Sequence, residues 1–388
     1  MRISFTGDIM CELPTLKKSK NNQRYNFDKY LSETNIFGKT DYLVGNLETV
    51  FAGKNAKYSN DLYSYNTPDS FAVELKKAGF NLLSTANNHA LDRGVQGLKR
   101  TINILKKNDI DYIGTNNDKT KDRFKIISLN NIKIGLLSYT YGTNYSINKV
   151  KLNKNEEYLV NYFEQPLWVD SSRDDFYSKL KEKLLSAENR VKLLKAFGRP
   201  YNKVRVDERK LENLNQSLLD DMERLKSQTD IIILLMHSGG QFNLFPGNYT
   251  KELVSRMKKL GVNIIIGNHP HVVQKIEFDK SFFAAYSLGN YFISPDTVYL
   301  LHENLPLYSI VLHIDIHDAK VWEFSFSIAK TINLSGEERV FNTSTLYHKD
   351  YEDKDVLYND CKKIYETFTN SHCKNFMIKK EYKLVDVI

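Results

Sequence analysis

Short apolar runs alternate along the chain with longer segments in which apolar residues recur every three or four positions. The short runs predict β-strands and the longer segments predict helices, an alternation typical of β-α units with a largely parallel sheet. The predicted strands are Ile3–Thr6, Tyr42–Asn46, Leu82–Ala86, Ile132–Tyr139, Ile231–Met236, Asn263–Ile266 and Phe282–Ser287. The predicted helices are Asp69–Ala78, Gly94–Asn108 and Thr250–Leu260, and the first and third are followed by the glycine expected of a left-handed cap.

Residues 144–227 interrupt this alternation and read as a helical insertion. Ser172 and Asp175 resemble a capping box that opens a helix ending near Phe197. Two orientations of the first helix are open. It could lean over the carboxyl ends of the predicted strands as a lid and present its basic residues to any anion bound there, or it could point outward. A second helix is predicted from the apolar stripe Leu211, Leu214, Leu218, Met222 and Leu225.

The pattern changes again after Pro306. Leu307–Ile316 and Val321–Ile328 read as the two strands of a hairpin, with turn residues between them. The charged tail from Tyr347 onward is predicted to be helical around Leu357, Cys361 and Ile364.

Composition places the chain among globular proteins. It has 388 residues, of which 41% are hydrophobic, so it can bury a substantial core and is not a disordered protein. Its three cysteines are an odd, small number, which argues against a disulfide framework, and the absence of a Cys-x-x-Cys pair argues against a thiolate metal site. The net charge of +8 mildly favours an anionic partner, but the basic residues are spread along the chain and no nucleic-acid-binding module is recognisable.

No segment of the sequence predicts a membrane span. The longest apolar run, Ile231–Met236, is far short of the roughly 20 residues needed to cross a bilayer. Strand-like sequence begins at Arg2, which leaves no room for a signal peptide. We therefore expect a cytoplasmic protein as the sequence is written, or a cell-surface protein if a leader was removed.

Polar side chains of the kinds that bind metals follow five of the predicted strands. They are Asp8, Glu48, Asn88 with His89, His237, and His269 with His271. Ligands bind at the carboxyl ends of strands in open α/β sheets, so these side chains converge if the strands are parallel neighbours. Imidazoles combined with carboxylates and one amide suit a transition metal better than calcium, and Asp8 or Glu48 could bridge two cations.

Each of these residues also has an ordinary structural explanation. Asp8 could cap a helix, Glu48 could be a surface acid, Asn88 could form a turn and His237 could be a core histidine. The pair His269 and His271 is more specific, because two imidazoles flank a proline on an extended segment. The repetition at five strand ends favours a joint metal-binding role.

Seven motifs, in order along residues 1 to about 295, resemble the CapA/PgsA capsule-synthesis family. They are Gly-Asp-Ile-Met at 7–10, Gly-Asn-Leu-Glu at 45–48, Asn-Asn-His-Ala-Leu-Asp-Arg-Gly at 87–94, Tyr-Thr-Tyr-Gly-Thr-Asn at 139–144, His-Ser-Gly-Gly-Gln at 237–241, Gly-Asn-His-Pro-His-Val at 267–272 and Tyr-Ser-Leu-Gly-Asn-Tyr-Phe at 286–292. That family is tied to poly-γ-glutamate capsule biosynthesis and belongs to the calcineurin-like metallophosphoesterase superfamily. The resemblance implies an α/β fold, a metallophosphatase-like αββα sandwich with a helical insertion and a C-terminal extension.

The resemblance also implies a domain organisation. Residues 1–306 would form the metallophosphoesterase-like domain, with the insertion at about 144–227. Residues 307–388 would supply a hairpin that completes the sandwich, followed by the helical tail.

The superfamily pattern carries over onto individual positions. The metal ligands implied are Asp8, Glu48 as the bridging carboxylate, Asn88, His237, His269 and His271, and His89 matches the catalytic histidine. Asn88, His237 and His269 with Glu48 would form the tighter of two sites, and Asp8 and His271 with Glu48 the weaker one. The implied cofactor is one or two divalent ions, most simply Mn, Zn or Fe.

Three positions depart from the family pattern. Met10 stands where a histidine ligand is usual, and a thioether is a poor ligand for hard divalent ions. Ala90 stands where the acidic partner of the catalytic histidine is usual, and Asp92 could take over that role. Gln241 stands where the family more often has glutamate.

The function implied is that of a metal-dependent hydrolase. It would act on a phosphoester or an acidic polymer, with His89 stabilising charge or protonating the leaving oxygen and Asp92 as its partner. Capsule-synthesis proteins are the expected partners. The alternative is a non-catalytic assembly or binding component of a polymer synthesis or export machine with a partly vestigial metal site, which the residues Met10 and Ala90 favour.

Overall fold

The computed structural model describes most of the chain. The described residues are 1–31, 37–60, 62–166, 187–197, 204–317, 322–349, 351 and 353–384. The strands are β1 Arg2–Ile9, β2 Lys20–Asn21, β3 Arg24–Tyr25, β4 Tyr42–Leu47, β5 Leu82–Ser84, β6 Asp111–Ile113, β7 Lys125–Leu129, β8 Ile132–Thr140, β9 Ile231–His237, β10 Ile264–Asn268, β11 Ile276–Phe278, β12 Phe283–Ala285, β13 Asn290–Phe292, β14 Tyr308–Ile316, β15 Trp322–Leu334, β16 Glu337–Asn342 and β17 Tyr382–Lys383.

The helices lie between and after these strands. The α-helices of the described residues are α1 Leu13–Ser19, α2 Ser70–Lys77, α3 Gly94–Lys107, α4 Tyr145–Asn148, α5 Ala187–Ala196, α6 Gln216–Lys226, α7 Asn248–Lys259, α8 Thr343–His348 and α9 Lys354–Thr369. Short 3₁₀ helices span Lys54–Ala56, Glu157–Leu159 and His302–Asn304. As the sequence predicts, Gly79 and Gly261 follow α2 and α7 with φ of 96° and 87°.

Two mixed sheets form the centre of the molecule. The nine-stranded sheet has the order β16-β15-β14-β1-β4-β5-β6, with β13 beside β1 and β17 beside β15. The six-stranded sheet has the order β11-β12-β10-β9-β8-β7. In the first sheet β1, β4, β5 and β6 run parallel, and in the second β8, β9, β10 and β12 do. The strands that precede the site residues are therefore divided between two sheets and are not neighbours in one.

The two sheets pack face to face, and alternating residues of β9 reveal this. Ile231, Ile233 and Leu235 belong to one buried cluster with Phe5 and Val44 of the first sheet, so that cluster fills the space between the sheets.

The outer faces of both sheets are covered by helices. Ile232 and Leu234 of β9 pack instead with Leu253 of α7 and Met222 of α6 on the outer face of the second sheet. On the outer face of the first sheet, apolar residues of α1, α2 and α3 pack against β4 and β5; they are Leu16, Phe71, Leu75, Leu105, Leu43 and Leu83. The layer order is helix, sheet, sheet, helix, which is the αββα sandwich predicted from the sequence.

The predicted hairpin is present as β14 and β15, which pair in antiparallel fashion and join the first sheet through β1. The tail helix is present as α9. The division into a domain over residues 1–306 and a C-terminal part over residues 307–388 stays a prediction.

The insertion is described in part. The capping box at Ser172 and Asp175 lies outside the described residues, and α5 is the described part of the helix predicted to end near Phe197. The prediction of the second helix is wrong at its start, because α6 begins at Gln216. The side chain of Asn215 accepts a hydrogen bond from Ser217 N and caps the helix there, so Leu211 and Leu214 precede it.

Candidate functional site

The ends of strands from both sheets meet at one edge of the sandwich. Asp8 is the last residue but one of β1 and Glu48 directly follows β4 in the first sheet, while His237 ends β9 and His269 follows β10 in the second. Close packing of the backbone sets this edge, because a Cβ atom at Gly7 would lie 1.9 Å from the carbonyl oxygen of Gly289. The edge brings together all six predicted ligands, which are Asp8, Glu48, Asn88, His237, His269 and His271.

Glu48 lies at the centre of this cluster. Its Oε1 atom is 3.6 Å from Nε2 of His237, 3.7 Å from Nε2 of His271 and 3.9 Å from Nε2 of His89, distances too long for hydrogen bonds. The side chain is completely buried, and neither carboxylate oxygen accepts a hydrogen bond from any described residue. Burial raises the pKa of Glu48 well above its ordinary value, and the nearby carboxylate of Asp8 raises it further.

One group of donor atoms comprises Glu48, His237 and His269, which each offer an atom within 4.8 Å of the others. Asn88 joins this group, since its Oδ1 atom lies 2.7 Å from Nε2 of His237. Burial lowers the pKa of both His237 and His269 well below the ordinary value for histidine, and neighbouring imidazoles add to the effect. Both rings are thus held in the neutral form that binds metals.

A second group comprises Asp8, Glu48 and His271, again within 4.8 Å of one another. Nδ1 of His271 is 3.2 Å from Oδ2 of Asp8 and 2.9 Å from Oδ1 of Asn290. The other oxygen of Asp8 accepts a hydrogen bond of 2.7 Å from Nδ2 of Asn46. A hydrogen bond from the amide of Asn46 therefore fixes the acid of this group, and one to the amide oxygen of Asn290 fixes its imidazole.

The backbone that carries the histidine pair is strained. His269 and His271 have φ values of 98° and 59°, in the left-handed region that residues other than glycine rarely adopt. Such strain persists where the surrounding structure holds it, which is common at functional sites. Here it turns both imidazoles toward Glu48, and the N–H group of His269 donates to Oδ2 of Asp8 at 3.1 Å.

His89 lies beside the two groups and has an acidic partner. Its Nδ1 atom is 2.7 Å from Oδ2 of Asp92, and that same oxygen accepts a hydrogen bond of 2.7 Å from the backbone N–H of Tyr65. The ring of Tyr65 packs against the imidazole, with the ring centroids 4.2 Å apart. Ala90, next in the chain, is buried in a separate apolar cluster. Asp92, and not Ala90, is thus the residue that contacts Nδ1 of His89.

Met10 lies among apolar side chains. Its side chain belongs to an apolar cluster with Phe242, Ile293, Tyr299 and Leu300 and is 1% exposed. The position that the family resemblance gives to a histidine ligand is therefore part of the core in this chain.

The cluster opens into a cleft of about 360 Å³. His89, Asn88, His269 and His271 form part of its wall, and residues of the insertion form another part. The segment 204–209, which we call the strap, is tied down there by hydrogen bonds from Arg205 N to the carbonyl oxygen of Gln241 and from Tyr249 N to that of Asp207.

Two arginines of the strap line the cleft. Arg209 is paired with Asp207 at 2.8 Å and stacks over the rings of Tyr141 and Tyr249. Arg205 also lines the cleft, and no acid among the described residues pairs with its guanidinium group. The proposed helical lid itself lies largely outside the described residues.

Several residues of the site were not predicted as functional. Asn46, Asn144 and Asn290 make hydrogen bonds to the predicted residues, and all three fall within motifs quoted for the family resemblance. Their position in those motifs was the feature of the sequence that could have identified them. Tyr141 was also not predicted, and its ring lies 4.8 Å from that of His269.

Among the described residues, no helix combines the length and the hydrophobicity that a membrane span requires.

Comparisons with known proteins identify the family of the chain. The model of the family "Bacterial capsule synthesis protein PGA_cap" matches residues 2–295. The PGA biosynthesis protein CapA of Bacillus subtilis is 25% identical over 328 residues, which are 81% of this chain and 72% of that protein. The capsule biosynthesis protein CapA of Bacillus anthracis is 25% identical over 297 residues, which are 75% of this chain and 59% of that protein.

A solved structure, the 5'-nucleotidase of Candida albicans, aligns with 94% of this chain and 57% of its own at 12% identity and a TM-score of 0.42, too low to support a functional comparison. The family match, in contrast, spans the strand ends that carry all eight predicted site residues. This chain belongs to the PGA_cap family of bacterial capsule synthesis proteins.

Proposed function

We propose that this chain is a metal-dependent hydrolase of the metallophosphoesterase type that acts in capsule polymer biosynthesis. The observation that carries the proposal is the environment of Glu48. A fully buried carboxylate without a hydrogen-bond donor among the described residues is costly, and a bound cation is the usual compensation. Neutral imidazoles on either side of it supply further donor atoms.

The donor set fits one or two transition-metal ions. Glu48, His237, His269 and Asn88 would hold one ion, and Asp8, Glu48 and His271 would hold the other. Nδ1 of His269 is buried and without a hydrogen-bond partner among the described residues, as expected of a ligand atom. The combination of nitrogen and oxygen donors favours Mn, Zn or Fe. When bound, such an ion supplies Lewis acidity, which polarises a phosphoryl or carbonyl oxygen.

His89 is the residue proposed to act on the leaving group. Because Asp92 occupies its Nδ1 atom, its Nε2 atom is the one available on the cleft side of the ring. In the protonated form, Nε2 would donate a proton to the leaving oxygen or stabilise charge there. Asp92 and the ring of Tyr65 hold the imidazole in this orientation.

The substrate proposed is anionic, either a phosphoester or an acidic polymer. Arg205 and Arg209 place positive charge on the wall of the cleft. The names of the relatives point to a polymer pathway, since one of them is described as a PGA biosynthesis protein. These observations support an acidic substrate and leave the choice between the two classes to experiment.

A non-catalytic role in polymer assembly is the second candidate. Met10 favours it, because that side chain lies in the core and supplies no ligand. The pairing of Asp92 with His89 weighs against it, since a vestigial site has no need to keep an oriented histidine.

Metal analysis and a substrate screen would decide between them. Protein purified without chelator is assayed for bound metal, then for hydrolysis of phosphoesters and of γ-linked glutamate polymers. A hydrolase should lose turnover in His89→Ala and retain its metal, while His372→Ala, a histidine with 71% of its side chain exposed, should behave as wild type. Metal-loaded protein that hydrolyses none of these substrates would favour the assembly role.

A further inference from the structure

Asn144 is a residue of the cleft to which the mechanism above assigns no role. It follows β8 in the loop that opens the insertion and adopts φ 48° and ψ 41°. Asparagine is one of the few residues other than glycine that tolerate this left-handed conformation. The loop is tied to the site, because the N–H of Tyr141 donates to the carbonyl oxygen of His237 at 3.2 Å. Asn148 holds the following turn through a hydrogen bond of 2.6 Å to the carbonyl oxygen of Thr143.

The side-chain oxygen of Asn144 sets the orientation of a proposed metal ligand. It accepts a hydrogen bond of 3.3 Å from Nδ2 of Asn88. With its NH₂ group engaged there, Asn88 directs its Oδ1 atom toward Nε2 of His237, at 2.7 Å. The amide of Asn88 therefore presents its oxygen, and not its nitrogen, to the cluster.

The side-chain nitrogen of Asn144 lies next to the reactive end of His89. Nδ2 of Asn144 is 3.5 Å from Nε2 of His89, and both side chains line the cleft. This spacing is at the limit of a hydrogen bond, so both nitrogens keep the capacity to bind a ligand. A ligand oxygen on the cleft side of the pair can therefore accept a hydrogen bond from Nδ2 of Asn144 while it lies beside the imidazole of His89.

We propose that Asn144 is a substrate-binding residue whose Nδ2 donates a hydrogen bond to a phosphoryl oxygen beside His89, a role that rests on the proposed hydrolase function. The ligand class is a tetrahedral oxyanion, because the amide of Asn144 shares the cleft with the guanidinium-bearing Arg205 and Arg209, which suit such a group. A neutral amide suits this position. An aspartate at this position would repel the anion. A lysine would place its positive charge beside Asn88, close to the metal ion that Asn88 is proposed to hold.

The test uses Asn144→Asp, which keeps an oxygen acceptor for Asn88 but replaces the donor with a negatively charged oxygen. Asn144→Gly serves as a second variant that preserves the left-handed backbone while removing the side chain. Asn130→Asp is the matched control, since Asn130 is an exposed asparagine with φ 50° in the turn between β7 and β8. Metal content and the affinity for inorganic phosphate are measured on metal-loaded protein by calorimetric titration.

We expect both Asn144 variants to bind phosphate about tenfold more weakly or worse, since a hydrogen bond to a charged group is lost. The metal content of Asn144→Asp should match that of wild type, and Asn130→Asp should match wild type in both measurements. Phosphate affinity unchanged in Asn144→Asp and Asn144→Gly would overturn the assignment. Loss of metal in Asn144→Asp in place of phosphate affinity would also overturn it, because the residue would then act through Asn88 alone.

The binding measurement separates this proposal from the proposed function. If metal-loaded wild type hydrolyses no ester but binds phosphate, the hydrolase proposal fails and the comparison of variants still decides the role of Asn144. If wild type does not bind phosphate, the assignment of Asn144 is overturned, whatever the outcome with other substrates.

Discussion

Nδ1 of His89 lies 2.7 Å from Oδ2 of Asp92, three residues further along the same loop. Both side chains are buried, so the contact is shielded from water and holds the imidazole in one orientation. Oδ2 also accepts the N–H of Tyr65, which fixes the carboxylate in turn. Asp92 therefore supplies an acidic partner for His89, which the alanine at position 90 does not.

Replacing Asp92 by Asn should therefore impair turnover while sparing metal binding. The amide keeps the shape of the side chain but no longer stabilises a protonated imidazole, so kcat should fall by about 10²-fold or more. Steady-state kinetics and elemental analysis on the same preparation provide the check. Asp109→Asn, which alters an aspartate with 97% of its side chain exposed, should leave kcat unchanged. An Asp92→Asn enzyme with full kcat would show that the pair has no part in catalysis.

Titration with manganese or zinc should reveal one tight and one weaker binding event. The second group has two carboxylates and a single imidazole, and Met10 adds no nitrogen or oxygen donor to it. His237→Ala should remove the tight event, and His271→Ala the weaker one. Calorimetry on protein stripped with a chelator gives both constants. Two equally tight events in wild type would mean that another side chain takes the place of Met10.

His313 should make stability depend on pH. Burial lowers its pKa to about 4 from the ordinary 6.5, with the charge of Glu381 opposing this shift and that of Arg2 adding to it. Between these two pH values the unfolded chain binds a proton at His313 that the folded chain does not. The free energy of unfolding should accordingly fall as the pH drops through this range, by up to about 1.4 kcal/mol per pH unit.

The measurement for His313 is urea unfolding at several pH values between these limits. His313→Gln should show a shallower dependence than wild type, since glutamine does not titrate. His317→Gln is the matched control near the end of the same hairpin strand, where the histidine is 53% exposed, and its slope should equal that of wild type. Equal slopes of the free energy of unfolding against pH for all three proteins would show that protonation of His313 is not coupled to unfolding.

Arg205 should contribute to the binding of an acidic substrate. Its guanidinium lines the cleft and is unpaired among the described residues, whereas Arg209 is occupied by Asp207. Arg205→Gln should raise KM several-fold with little change in kcat, and the difference from wild type should shrink at high salt. Lys210→Gln removes the same charge from an exposed residue that follows the strap and does not line the cleft, so its KM should match wild type. Equal KM values for the two variants would show that Arg205 does not contribute to substrate binding.

Local pattern in the sequence was enough to locate the main elements. Ile231–Met236 reads as a strand because six apolar residues in succession suit burial on both faces, and the structure buries both faces of β9. The ends of helices were predictable for the same local reason, since the glycine cap after α2 depends only on the backbone at Gly79. The three-residue strands β6 and β13 were missed, because they begin with the polar residues Asp111 and Asn290, whereas the equally short β5 begins with Leu82-Leu83.

The candidate site was also visible in part, because the six predicted ligands follow five strands, with His269 and His271 sharing one. The sequence determined that Asp8, Glu48 and the histidines stand at strand ends, since that depends on neighbours along the chain. Only the tertiary structure decided that these ends belong to two sheets and that the sheets face each other with Glu48 in the middle.

The supporting amides depended on tertiary structure as well. Asn144 is 55 residues from His89 in the chain, and Asn290 is 19 residues from His271. An asparagine favours a turn or left-handed backbone wherever it stands, so its local sequence does not reveal which side chain it will contact. Those contacts follow from the packing of two sheets against each other, a property of the whole hydrophobic core and not of any one segment.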